Sequence, residues 1–299
     1  MTVPPAFGNA SAGAGRRAGT GSEKGSEEDV GADGADPGWQ ARIRTRAALL
    51  PQRLRVALHA GPAGECIGSI EPSLAERMRS AGLPVRPLAA GGWRVEAPLD
   101  VSLHRLAEWL RDQRLSGRWR GELLDVRAPS GVVLGRIERS AVRALGLTTL
   151  AVHLVGHVRE GGVWVQQRAL DKATDPGLWD TLVGGLVAAG ESIADTLARE
   201  TDEEAGLPID ALHGLRSSGH LMVRRPVADG YLIERIEVFE GALAPGAVPV
   251  NRDGEVDHFE CLSPAALRER LQHGAFTAEA ALILLRWLEA RPRAASGGD

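Results

Sequence analysis

Cysteine, an excess of one charge and long apolar runs are all missing or scarce in this chain of 299 residues. Only Cys66 and Cys261 occur, far apart, which argues against a disulfide framework or a thiolate metal site and favours a place in the core for both. No apolar run approaches the ~20 residues that cross a membrane, and the first residues lack the apolar stretch of a secretory signal. We therefore expect a cytoplasmic protein with no membrane partner.

The charge pattern also excludes a class of partner. The formal net charge is −4, from 35 basic and 39 acidic residues, so neither sign dominates. The arginines are scattered, and Trp93, Trp109 and Trp119 are more typical of core anchors than of base-stacking platforms. The sequence therefore predicts no nucleic-acid partner, and it leaves the oligomeric state open.

Composition divides the chain into four segments. Residues 1–38 carry Gly, Ala, Ser and acidic residues with almost no large apolar side chain, so we expect a disordered tail there and another at 293–299. Residues 39–145 mix strand and helix patterns and predict a smaller mixed α/β domain. Residues 146–292 predict a second α/β domain, with strands before and after a central helix and a helix closing the chain.

One segment of the second domain combines glycine, arginine and glutamate at fixed spacing. Its residues are, in chain order, Gly185, Glu191, Arg199, Glu200, Glu203, Glu204 and Gly206. Ser192 can cap a helix whose third residue is Asp195, and Gly206 before Pro208 supplies a left-handed end. The segment therefore predicts a loop, a short helix and a stop.

Three carboxylates of this helix are spaced for a metal ion. Glu200, Glu203 and Glu204 are three and four residues apart, which places their β-carbons about 5 to 6 Å from each other. Like charges at this spacing repel, and a divalent cation removes the repulsion. Oxygen-only ligands suit Mg²⁺ or Mn²⁺. The alternative is a solvated acidic face.

The same segment resembles the Nudix box, in which Gly, Glu, Arg-Glu, Glu-Glu and Gly stand at these positions. The single departure is Thr201, where the family has an aliphatic residue. The resemblance implies an α/β/α sandwich and a metal-dependent attack of water on a diphosphate linked to an organic group. It implies metal ligation by Glu200, Glu203 and Glu204.

The resemblance also implies roles in proton transfer and positioning. Glu203, beside the metal carboxylates, is the first candidate for the general base. In many Nudix enzymes the base lies on a loop outside the box, which makes Glu255 the second candidate. Arg199 is expected to orient the carboxylates by ion pairing.

Sequences flanking the box resemble the thiamin pyrophosphokinase-related Nudix proteins, which carry an additional domain ahead of the hydrolase. The matching stretches are residues 138–141 with 145–146, residues 152–158, residue 168 with 171–180, and residues 251–256. This resemblance implies a thiamine diphosphate derivative as substrate, in oxidised or oxythiamine form, cut to the monophosphate and phosphate. The alternatives are a nucleotide-sugar or dinucleotide diphosphate hydrolase, an isoprenoid diphosphate isomerase, and a non-catalytic Nudix regulator that binds a ligand.

Four residues are expected to bind the substrate. Gly185 is the first glycine of the box. Arg168 and Lys172 suit diphosphate oxygens. The guanidinium group of Arg168 offers two parallel N–H donors, and the ammonium group of Lys172 offers a compact positive charge. Trp179 suits stacking on a charged ring. For these two cations the alternative is a solvated loop position, and for Trp179 it is core packing.

Overall fold

The computed structural model describes three stretches of the chain, residues 38–159, 161–172 and 174–291. The tails predicted at residues 1–38 and 293–299 lie outside these stretches, except for Gly38, which begins the first helix. No helix within the described stretches is long and apolar enough to cross a membrane.

The first half of the described chain is a small α/β arrangement. Its elements are α1 (Gly38–Arg46), β1 (Val56–Ala60), β2 (Glu65–Ile70), α2 (Pro72–Ser80), β3 (Val85–Pro87), β4 (Trp93–Val95), α3 (Leu99–Asp112), β5 (Leu123–Arg127) and β6 (Val133–Glu138). Strands β1 to β4 pair in the order β2-β1-β4-β3, and β5 pairs with β6. Helix α3 buries Leu103, Leu106 and Leu110, which lie on one side of the helix, in a core shared with both sheets.

The second half is built on one larger sheet. After a turn of 3-10 helix at Arg139–Ala141, its elements are β7 (Thr148–His157), β8 (Val163–Arg168), β9 (Trp179–Asp180), β10 (Val183–Leu186), α4 (Ile193–Ala205), β11 (Leu212–Val227), β12 (Gly230–Leu243), β13 (Val256–Leu262), α5 (Pro264–Gln272) and α6 (Ala278–Glu289). The strand order is β11-β12-β7-β8-β13, with β10 added to β7 and β9 to β8.

Helices cover both faces of this sheet. Successive side chains of β7 point to opposite faces, so this strand contributes to a core on each side. Ala151 and Val155 pack in a core that includes residues of α5 and α6. Val152 and Leu154 pack in another core with Leu197 of α4. The predicted fold class, a mixed α/β protein with an α/β/α sandwich, is confirmed.

Helix α1 packs on the second half of the chain. Trp39 and Ile43 are buried in the core that contains α5 and α6. The backbone N–H of Arg224 in β11 donates to the carbonyl of Ala47 at 2.8 Å. The domain boundary near residue 146 stays a prediction, and α1 adds a contact across it.

The predicted core positions of the two cysteines were wrong, because both side chains are exposed. Strand side chains alternate between the two faces of a sheet. In β2 the inward position falls to Ile67, which leaves Cys66 facing outward. In β13, an edge strand, Leu262 takes the inward position beside Cys261.

Candidate active site

The loop and helix that carry the glutamates form as the sequence predicts. The Ser192 hydroxyl accepts a hydrogen bond from the backbone N–H of Asp195 at 3.1 Å, and Gly206 ends α4 with a φ of 63°. Thr201 is buried, and its hydroxyl donates to the carbonyl of Leu197 at 2.6 Å. The polar side chain at this apolar position is therefore satisfied inside the helix.

Arg199 gathers three carboxylates around its guanidinium group. Its Nε and Nη2 donate to the two oxygens of Glu191 at 2.8 and 2.9 Å, and this fork lowers the pKa of Glu191 to about 2. Its Nη1 donates to Glu200 at 2.9 Å and to Glu203 at 3.0 Å. Arg199 therefore ties the loop to the helix and holds the orientation of their carboxylates.

Glu204 is almost completely buried, with 3% of its surface exposed. Its Oε2 accepts hydrogen bonds from the Gly184 backbone N–H at 2.9 Å and from Gln166 Nε2 at 3.0 Å. Burial nevertheless raises the pKa of Glu204 to about 8. A carboxyl group with this pKa stays ionised at neutral pH only when a positive charge lies close to it.

Gly185 lies directly against the carboxylate of Glu200. A β-carbon at position 185 would come within 2.1 Å of Glu200 Oε1, so a side chain here would occupy the place of that carboxylate. Burial raises the pKa of Glu200, and the charge of Arg199 opposes this rise in part. Glycine at this position therefore allows a buried carboxylate to lie on β10.

The loop before β13 brings two further carboxylates to Glu204. One oxygen each of Glu204, Asp253 and Glu255 lie within 4.8 Å of one another. Lys172 contacts Glu255. Burial raises the pKa of Glu255, but the hydrogen bond and charge of Lys172 outweigh this effect and leave the pKa below its usual value.

This oxygen cluster fits a hard divalent cation, since Mg²⁺ and Mn²⁺ bind carboxylate oxygens. Glu200 and Glu203, which the sequence assigns to the metal with Glu204, share the Nη1 of Arg199 instead of joining this cluster. Their metal roles stay predictions. Asp253 was not singled out from the sequence, because only the fold brings its loop to α4.

A cavity of about 550 Å³ opens beside these carboxylates. Gly185, Arg168, Lys172 and Glu255 all line it, so the fold brings four of the predicted site residues together. Arg168 Nη1 lies 3.4 Å from Asp180 Oδ2. Arg168 and Lys172, the two cations of the predicted diphosphate site, therefore both have carboxylate partners.

Trp179 does not belong to the lining of this cavity. Its ring lies 4.5 Å from the guanidinium carbon of Arg270 and 5.0 Å, edge-on, from His258. Its backbone N–H donates to the carbonyl of Ala275 at 2.9 Å, which fixes β9 near the start of α6. Because the ring packs on Arg270 of α5, we do not retain the stacking role predicted for Trp179.

Comparison with known proteins shows what the second half of the chain resembles. Residues 147–282 match the family profile of the NUDIX domain. Nudix hydrolase 24, chloroplastic, from Arabidopsis thaliana is 32% identical over 154 residues, which are 50% of this chain and 42% of that protein.

A second plant protein and one solved structure are also similar to this chain. Nudix hydrolase 20, chloroplastic, from the same plant is 30% identical over 179 residues, which are 56% of this chain and 46% of that protein. This chain therefore spans less than half the length of the two plant relatives. The crystal structure of DR0079 from Deinococcus radiodurans is 26% identical with a TM-score of 0.47, over 57% of this chain and 100% of that one.

Polar residues of the second half of the chain also line the cavity, among them the buried His153 and Glu279 and the half-buried Glu234. Burial lowers the pKa of His153, whose Nδ1 lies 2.8 Å from the Thr181 hydroxyl. Glu234 accepts a hydrogen bond from the Thr149 hydroxyl at 3.1 Å. Burial, followed by repulsion from Glu279, raises the pKa of Glu234 to about 7. The cavity therefore offers acceptor groups that were not visible in the sequence.

The Glu234 carboxyl predicts a pH dependence of the stability of the protein. Folded Glu234 keeps its proton up to pH of about 7, whereas the carboxyl of the unfolded chain loses it near pH 4.5. As the pH rises between these values, the wild type should therefore lose stability relative to Glu234→Gln. We expect a loss of about 1 to 3 kcal/mol, which allows for solvent in the cavity that reduces the effect. Urea unfolding of both proteins at pH 5 and pH 8 measures this difference. Parallel pH profiles would contradict the prediction.

Proposed function

We propose that the protein is a metal-dependent hydrolase that cleaves the diphosphate of a small organic diphosphate. The observation that carries this proposal is the cluster of Glu204, Asp253 and Glu255 oxygens beside a cavity lined by Lys172 and Gly185. The match to the NUDIX domain and the two plant Nudix hydrolases support it.

Each residue has a proposed role that its position supports. Mg²⁺ or Mn²⁺ at the carboxylates would polarise the diphosphate and lower the pKa of a water molecule. Glu255 lines the cavity and has a lowered pKa, so it is ionised and can accept a proton from the attacking water. Glu203 is not among the lining residues. We therefore propose Glu255 as the general base, with Glu203 and Arg199 positioning the other carboxylates.

For the organic group we propose a thiamine derivative, in oxidised or oxythiamine form. The flanking sequences that resemble the thiamin pyrophosphokinase-related Nudix proteins support this choice. So does Glu279 in the lining of the cavity, because a carboxylate attracts the positively charged thiazolium ring that oxythiamine carries. The predicted cytoplasmic location belongs to the same proposal.

A competition assay tests the proposed substrate. Purified protein with Mg²⁺ is offered oxythiamine diphosphate, thiamine diphosphate, a nucleotide sugar and a dinucleotide. We expect the highest kcat/KM for oxythiamine diphosphate, with release of its monophosphate and phosphate, because a polar site discriminates strongly between rings that differ in hydrogen bonding. A higher kcat/KM for a nucleotide substrate would refute the thiamine assignment and leave the hydrolase assignment standing.

A further inference from the structure

One wall of the active-site cavity comes from the part of the chain that precedes the Nudix domain. Gly117, Arg118, Arg120, Arg139 and Arg143 line the cavity together with the Nudix residues. Four of these five residues are arginines. The first half of the protein therefore contributes positive charge to the cavity in which the proposed reaction takes place.

The cations that the Nudix domain contributes are already neutralised. Lys172 contacts Glu255. Arg225 pairs with Asp175 at 2.6 Å and with Glu279 at 3.1 Å. As described above, Arg168 faces Asp180. None of these side chains brings an uncompensated positive charge to an incoming diphosphate.

The arginines of the first half fall into two groups. Arg139 pairs with Glu122 at 2.7 Å, and Arg143 lies 3.5 Å from Asp229. In contrast, Arg118 and Arg120 are exposed and have no carboxylate partner among the residues that the structure describes. Arg120 lies close enough to Glu255 for its charge to lower the pKa of that carboxyl group.

The local structure aims these two arginines at the cavity. Trp119, between them, packs under Arg111 with 4.6 Å between guanidinium carbon and ring centre. Arg118 and Arg120 line the cavity, whereas Trp119 does not, so the two arginines lie on the cavity side of this segment. The backbone N–H of Arg120 donates to Glu138 Oε1 at 2.9 Å, which fixes the segment on β6.

We propose that Arg118 and Arg120 bind the phosphate oxygens of the diphosphate substrate, so that the first half of the protein completes the substrate site. This inference rests on the proposed function. A guanidinium group matches two phosphate oxygens with two parallel N–H donors, and the substrate supplies the negative charge that these two side chains lack. The ligand class is an organic diphosphate.

Charge-removing variants test the proposal. Arg118→Gln and Arg120→Gln should each weaken binding of imidodiphosphate, a diphosphate analogue that is not hydrolysed, by about tenfold, and the double variant by about 10²-fold. Calorimetric titration in the presence of Mg²⁺ measures these affinities. Arg114→Gln removes the same charge from a nearby exposed arginine outside the cavity lining and should bind as the wild type does.

The kinetic measurement separates this proposal from the hydrolase assignment. For the diphosphate that the wild type cleaves, the double variant should show kcat/KM reduced by about 10²-fold, with an unchanged thermal midpoint because both side chains are exposed. Unchanged affinity and kcat/KM in the double variant would overturn the proposal while hydrolysis remains. Weakened binding by a protein that hydrolyses no diphosphate would support the phosphate site and refute the hydrolase assignment. A wild type that does not bind imidodiphosphate would also overturn the proposal.

Discussion

Glu204→Gln is expected to lower kcat by at least about 10²-fold without unfolding the protein. The glutamine oxygen can still accept from the Gly184 N–H and Gln166, so the local hydrogen bonds survive. The negative charge that would hold the cation is lost. Steady-state rates with Mg²⁺ and the thermal midpoint measure the two effects. Asp195→Asn, in the exposed first turn of the same helix, is the matched control and should keep the wild-type rate.

Two further measurements complete this test. Glu200→Gln should lower kcat by a similar factor, because its carboxylate is largely buried against β10. A chelator should abolish wild-type activity, and Mg²⁺ or Mn²⁺ should restore it. Near-normal rates in both glutamine variants would show that these carboxylates do not hold a catalytic metal.

Gly185→Ala should cause a loss of kcat on the order of 10²-fold with little change in stability. The added β-carbon would lie 2.1 Å from Glu200 Oε1, at the flexible end of a side chain. The carboxylate can therefore swing away at low energetic cost, but it then leaves the position from which it acts. Kinetics and thermal unfolding of the variant measure the two effects separately.

A control variant and a contradicting outcome complete the test of Gly185→Ala. Gly241→Ala in β12, where the nearest atom is a Leu212 β-carbon at 3.3 Å, should retain activity. If Gly185→Ala kept the wild-type rate, Glu200 would not need its observed position, and its proposed role at the metal site would be wrong.

Features that depend on neighbouring residues could be predicted from the sequence. The start of α4 at Ser192 and its end at Gly206 follow from local hydrogen bonding and backbone preference, and the structure has both. The box residues were recognisable because a helix fixes their spacing. The pairing of Arg199 with the carboxylates around it follows from the same local geometry.

Features that depend on distant segments could not be predicted. Asp253 reaches Glu204 only because β13 pairs with β8, which positions its loop. Arg118 and Arg120 belong to the first half of the chain, and no local pattern shows that they line a cavity with residues of the second half. Trp179 has an aromatic ring suited to stacking on a ligand, but in the folded protein this ring packs against Arg270.

The attachment of α1 to the second half limits how the cavity can open. Residues 48–138 are joined to the second half of the chain at both ends, through α1 on one side and through the segment leading into β7 on the other. Two attachment points restrict a rigid rotation of these residues to the single axis that passes through both. The wall that carries Arg118 and Arg120 can therefore turn only about that axis, and it is not free to separate from the rest of the cavity.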